Sequence, residues 1–146
     1  LMWNDVLYEP GTLKVVALDK NGIKTAEKTV KTAGKPHKIK LEADRTTLKA
    51  NGKDLAFVTV SVVDKNGIPC PTATNELAFK VSGKGSFKAV CNGDPTSLTS
   101  FYASQMKLFS GKLVVLVEST DKAGTMELKV TGNKLQNASL EIKTSN

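Results

Sequence analysis

Side chains able to do chemistry are sparse in this sequence, and their spacing separates them. His37 is the only histidine. That leaves no paired histidines for a metal and no Ser-His-Asp triad with a spare base. His37 follows Pro36 at the start of an extended stretch and reads as a surface residue at a domain boundary. General-base work there would need a partner carboxylate. The carboxylates are scattered. Glycoside hydrolysis needs two of them across a cleft, roughly 5–10 Å apart. Glu118 with Asp121, and Asp64 with Asp94, are the nearest pairs by position. All four fall at strand ends or turns, where such residues are commonly solvated or hold local backbone N–H groups. The residues therefore offer no catalytic constellation, and no cofactor is expected.

Binding chemistry is equally thin. Asn92-Gly93-Asp94-Pro95-Thr96-Ser97 clusters oxygen ligands in the manner of a calcium loop. A calcium site wants six to eight oxygens, and this loop offers about three side chains, so a plain turn is the favoured reading. A sugar platform needs exposed aromatics, and aromatics are only 5% of the chain. Trp3, Tyr8, Phe101, Tyr102 and Phe109 are dispersed, while Phe57, Phe79 and Phe87 read as core. Trp3 and Tyr8, with Asn92 and Asp94, are the weak candidate surface or binding positions. Cys70 and Cys91 lie at the edges of turn-rich segments and carry no metal signature. Free thiols are the favoured reading; a disulfide stays open, if both loops lie at one end of the fold.

The 146 residues suit one domain, or one domain plus part of another. The net charge is +7, and the excess is lysine. Single lysines such as Lys38, Lys40, Lys80, Lys88, Lys129 and Lys143 stand at outward strand positions and turns. Arg45 is the only arginine, and no aromatics are interleaved with the lysines. This reads as a solvated exterior that guards strand edges, and no nucleic-acid partner is expected. No stretch approaches the roughly 20 apolar residues of a membrane helix, so no membrane partner is expected either. No signal peptide is visible, but Leu1-Met2-Trp3 reads as the middle of a protein.

The elements follow from a period of two. In Leu55 to Val63, Ala56, Val58, Val60 and Val62 fall on one face, and Leu55, Phe57, Thr59 and Ser61 on the other. This is the central strand of a β-sandwich, closed by Asp64-Lys65-Asn66-Gly67. Ile39 and Leu41, Leu77 to Val81, Phe87 and Ala89, Met126 to Val130, and Ala138 to Ile142 alternate in the same way. Thr47-Leu48-Lys49 is a short strand-like piece. Leu113 to Val117 is continuously apolar and reads as buried on both faces. Ser97 to Phe109 is extended, with room for one helical turn over Ala103 to Leu108. Turn signals recur about every 8–12 residues, the spacing of a sandwich. Trp3 to Leu7, Leu13 to Leu18 and Ile23 to Val30 read as three earlier strands, and Lys31 to Pro36 as a linker. Val16 to Ile23 echoes Ser61 to Ile68 around a shared Asp-Lys-Asn-Gly-Ile. Two tandem modules, or two independent type I′ turns, explain this equally.

Several stretches together carry a family resemblance: Trp3 to Ala17, Thr32 to Pro36, Leu41 to Arg45, Asp54 to Val60, and Asn92 to Ser97. In that order they resemble the C-terminal region of bacterial family 2 glycoside hydrolases of the β-galactosidase type. The resemblance implies an all-β, immunoglobulin-like antiparallel β-sandwich over residues 37–146. A partial, three-stranded second Ig-like module, residues 1–36 with the linker, precedes it. It also implies a non-catalytic accessory role, since the catalytic glutamates of such enzymes lie in a barrel that has no motif here. The implied partners are that barrel and the other domains of the parent, with a homodimer through residues 1–36 as a further expectation. A periplasmic or cell-envelope location is implied as well. Asp44 to Val63, Asn75 to Gly85 and Ala123-Gly124-Thr125 also resemble bacterial Ig-like adhesin repeats, which makes a stalk module the alternative. A carbohydrate-binding module is the third reading.

Overall fold

Alternating side chains build an all-β chain. The computed structural model describes residues 4–146, and among them the regular structure is entirely strand. The chain divides into two compact units, Leu1–Ala33 and Gly34–Asn146.

In the first unit, β1 (Thr12–Leu18) pairs antiparallel with β2 (Lys24–Lys31). Leu13, Val15 and Ala17 share one face with Ala26 and Val30. Leu13 and Val30 are both 59% exposed. A two-stranded ribbon has no second layer on which to bury such a face. The expected strand at Trp3 to Leu7 is corrected here: Trp3 lies outside the described residues, and Asn4 to Leu7 joins no ladder among the described residues. Two strands, rather than three, are therefore seen among the described residues.

The second unit runs β3 (Lys38–Ala43), β4 (Thr47–Lys49), β5 (Leu55–Val63), β6 (Glu76–Gly83), β7 (Gly85–Cys91), β8 (Gln105–Lys107), β9 (Lys112–Ser119), β10 (Gly124–Gly132) and β11 (Ala138–Ser145). One sheet has the order β3-β5-β9-β7, and the other β4-β11-β10-β6-β8. These contain the A-B-E-D and G-F-C orders of an immunoglobulin sandwich. The short β4 lies parallel to β11. The one-face prediction for the central strand holds: Ala56, Val58, Val60 and Val62 are all fully buried. Leu113, Val115 and Val117 of β9 join them. From the other sheet come Leu77 of β6, Leu128 and Val130 of β10 and Ile142 of β11. Each such side chain contributes about 1.5–3 kcal/mol by leaving water. Phe79 of β6 stacks on Phe87 of β7 at 6.2 Å between ring centroids, bridging the sheets.

Three expectations are corrected. Phe57 is not core; it is 46% exposed, because it has the opposite parity to Val58 and faces away from the second sheet. Val114 and Leu116 are only half-buried, on that same outer face. The stretch from Ser97 to Phe109 is mostly irregular loop, and where a helical turn was open, Gln105–Lys107 forms β8 by pairing with β6.

The echoed segments adopt one and the same turn. Asp19 Oδ1 accepts from the N–H groups of Asn21 and Ile23, both at 2.8 Å. Asp64 Oδ1 accepts from Asn66 and Ile68 at 2.8 and 2.9 Å. Only the glycines take positive φ, Gly22 at 77° and Gly67 at 80°. A type I′ turn would put Asn there as well, so the expected turn type is corrected to an Asp-anchored loop with a left-handed glycine. The type I′ geometry occurs instead at Ser110-Gly111, with φ of 50° and 73°.

Candidate functional site

The loop after β7 is the stretch richest in oxygen ligands, and it spends them on itself. Asn92 Oδ1 accepts from Asp94 N–H at 3.0 Å, while its Nδ2 donates to the Lys107 carbonyl at 3.0 Å. Asp94 Oδ1 accepts from the Thr96 hydroxyl at 2.7 Å and from Thr96 N–H at 2.9 Å. Those two bonds hold the Asp94 carboxyl below its ordinary range. Gly93, at φ 76°, lets the chain reverse between them. The result is a self-capped turn tied to β8. Tyr8 is 78% exposed, with its hydroxyl 3.4 Å from Thr32 Oγ1 in the first unit. Trp3 lies outside the described residues.

The paired carboxylates also part company. Glu118, near the end of β9, makes an ion pair with Lys88 at 2.9 Å. Asp121 is exposed in the turn to β10. Asp64 is buried, and its second oxygen accepts the Gly34 N–H at 2.8 Å. The N–H groups of Gly34 and Ile68 hold its carboxyl below the ordinary range against the opposing effect of burial. Cys70 lies beside it, with Sγ 3.6 Å from the Gly34 carbonyl, and burial followed by the Asp64 charge pushes that thiol up. Asp64 is thus a structural clasp on the chain's entry into the second unit. Sequence reading missed this because Gly34 is thirty positions away; the signal lay in an Asp-x-x-Gly turn with one oxygen to spare. Cys70 is buried and Cys91 exposed, both as free thiols.

An open dish of about 620 Å³ lies in the second unit. Amide side chains of Asn75, Gln105, Asn133 and Asn137 line it beside Glu76 and Thr131. One carboxylate cannot act as both acid and nucleophile toward a glycoside. The dish lining holds no aromatic ring on which a sugar would stack. Among the described residues no three of His, Cys, Asp and Glu gather as a metal site. No helix of the described residues is long and apolar enough to cross a membrane.

Comparisons with known proteins supply the rest. A family model described as glycoside hydrolase family 2 C-terminal domain 5 matches residues 39–141. The β-galactosidase BoGH2A of Bacteroides ovatus is 44% identical over 137 residues, which is 94% of this chain but 16% of that protein. The crystal structure of a glycosyl hydrolase family 2 member from Bacteroides cellulosilyticus superposes with a TM-score of 0.91 at 34% identity. That match covers 97% of this chain and 18% of the other. The D00-D0 domain of intimin reaches a TM-score of 0.56 at 18% identity, a likeness of fold alone.

Proposed function

Because the chain belongs to the glycoside hydrolase family 2 C-terminal domain 5 family, we propose that it is the non-catalytic accessory part of a longer β-galactosidase-type enzyme. The observation that carries this is the 44% identity to a β-galactosidase of which the chain spans only 16%. The separated carboxylates and the single acid in the dish support it from the chemical side. The work of the chain is then mechanical: it extends the enzyme and packs against the catalytic barrel and other domains.

The same proposal takes residues 37–146 as a complete Ig-like module and residues 1–36 as the closing strands of a truncated one. The bare apolar face of β1 and β2 supports that reading, since strands outside this chain would cover it. Taken alone, this face gives the chain a route to homodimers, which light scattering over a concentration series would detect. A periplasmic or cell-envelope location belongs to the proposal through the family resemblance.

The experiment is to express the longer reading frame that contains this chain and assay it on chromogenic β-galactosides and β-glucuronides. Release from the galactoside is expected. A frame made of tandem copies of this module, with no hydrolysis, would overturn the reading in favour of an adhesin-type stalk.

A further inference from the structure

The two outer faces of the sandwich are chemically unlike. On the β4-β11-β10-β6-β8 sheet the outward positions include Glu76, Lys80, Glu127, Lys129, Glu141 and Lys143, all exposed. That is an ordinary water-facing wall. On the β3-β5-β9-β7 sheet the outward positions at the centre are Phe57, Thr59, Val114, Leu116, Ala89 and Cys91. Phe57 pairs with Leu116, which pairs with Ala89; Thr59 pairs with Val114, which pairs with Cys91. Two rows, apolar apart from the Thr59 hydroxyl, therefore run side by side across three strands. Phe101, itself exposed, lies beside β7, where Val90 N–H donates to its carbonyl at 2.7 Å.

Charge stands at the margin of this patch. Lys40 pairs with Glu42 at 2.8 Å on β3, and Lys88 with Glu118 at 2.9 Å where β7 and β9 meet. An apolar centre with a polar rim is the anatomy of a protein interface. The run Leu113 to Val117 also has the composition of a strand covered on both sides, yet only one side is covered here. Contiguous apolar surface rimmed by polar residues marks sites of interaction.

We propose that the outer face of the β3-β5-β9-β7 sheet, centred on Phe57 and Leu116, is the surface on which another domain of the same polypeptide packs. This rests on the reading of the chain as part of a longer family 2 enzyme. The occupant follows from proportion: about five-sixths of the matched relative is other sequence, since the chain spans 16% of it. A tethered domain is present at about millimolar effective concentration, which a second copy of the chain does not match at ordinary dilution. The complementary surface must be apolar at its centre.

Cys91 reports on the patch, because it lies on it and is exposed, while Cys70 is buried and serves as the internal reference. Maleimide labelling is followed by peptide mass mapping in two samples, the 146-residue chain and the longer protein. Cys91 is expected to label quickly in the chain and about tenfold or more slower in the longer protein, as a group reached only when an interface opens. Residues 1–33 are present in both samples and cannot cause the difference. Equal rates would overturn the proposal. So would protection in the isolated chain that grows with its concentration, which would assign the face to copies of itself. As a second readout, Phe57→Lys in the longer protein should restore fast Cys91 labelling while hydrolysis persists; unchanged protection would count against the face. Hydrolysis together with fast Cys91 labelling would remove this inference and leave the accessory role standing. Slow labelling without hydrolysis would overturn the reading of the parent enzyme on which this inference rests, while still showing the face to be covered.

Discussion

Replacing Gly111 by alanine tests whether the sandwich is closed as tightly at one end as the structure shows. Gly111 has φ 73° and is buried at the turn into β9. A Cβ there would fall within van der Waals contact of the Cys70 carbonyl oxygen and 3.0 Å from its carbon. Both neighbours are backbone, so neither can swing aside. Gly111 N–H also donates to the Ala73 carbonyl at 3.1 Å, and its carbonyl accepts Val62 N–H at 3.2 Å. The left-handed conformation costs an alanine about 1–2 kcal/mol. Relieving the clash weakens those two hydrogen bonds, at about 0.5–1.5 kcal/mol each. The total is about 2–5 kcal/mol. Gly67 is the matched control, with φ 80° and nothing near a Cβ. Gly67→Ala should cost only the conformational part, about 1–2 kcal/mol. At about 4 °C per kcal/mol for a unit of this size, Gly111→Ala should lower Tm by about 8–20 °C and Gly67→Ala by about 4–8 °C. Differential scanning calorimetry on the two variants decides it. Equal losses would mean that the Cys70 loop does not press on the turn, and the packing argument for that end would fail.

Other outcomes follow from the same structure. Leu128→Ala in β10 empties a fully buried position and should cost about 2–5 kcal/mol by urea titration. Asp64 has a carboxyl held below its ordinary value by the Gly34 and Ile68 N–H groups. Its contribution is therefore fully present above about pH 4, the ordinary aspartate value, and is lost as pH falls through the lower folded value. Asp64→Asn should destabilise the chain at pH 7 and progressively less below pH 4; a pH-independent difference would contradict the clasp. Asn92→Ala should free the loop from Lys107 at a cost of about 1 kcal/mol, with faster proteolysis between Asn92 and Ser104.

Much of this fold was legible because the sandwich depends on parity, and parity is visible in a sequence. Val58, Val60 and Leu128 fall on the more apolar side of alternating strands, and the structure buries them. Parity says which residues share a face, but not whether that face meets water. For that reason Phe57 was read as core and Leu113 to Val117 as covered twice, when the second cover is absent from this chain. The stretch from Ser97 to Phe109 resisted reading because its structure comes from partners far away: Phe79 N–H donates to Ser104 and Val90 N–H to Phe101. The two Asp-Lys-Asn-Gly-Ile turns show the opposite case, where five residues contain their own hydrogen bonds and fold alike in both units. The loop at Asn92 and Asp94 was found by composition, yet composition could not tell that its oxygens face inward to their own backbone. The accessory role came from motif order and family membership, since no arrangement of side chains announces it.

The most direct trial of the whole account is a turnover assay on the purified 146-residue chain with a nitrophenyl β-galactoside. The account predicts release indistinguishable from buffer at any concentration of the chain, because among the described residues the candidate acids are apart and the dish holds one. Saturable release that scales with the chain and survives repurification would contradict it.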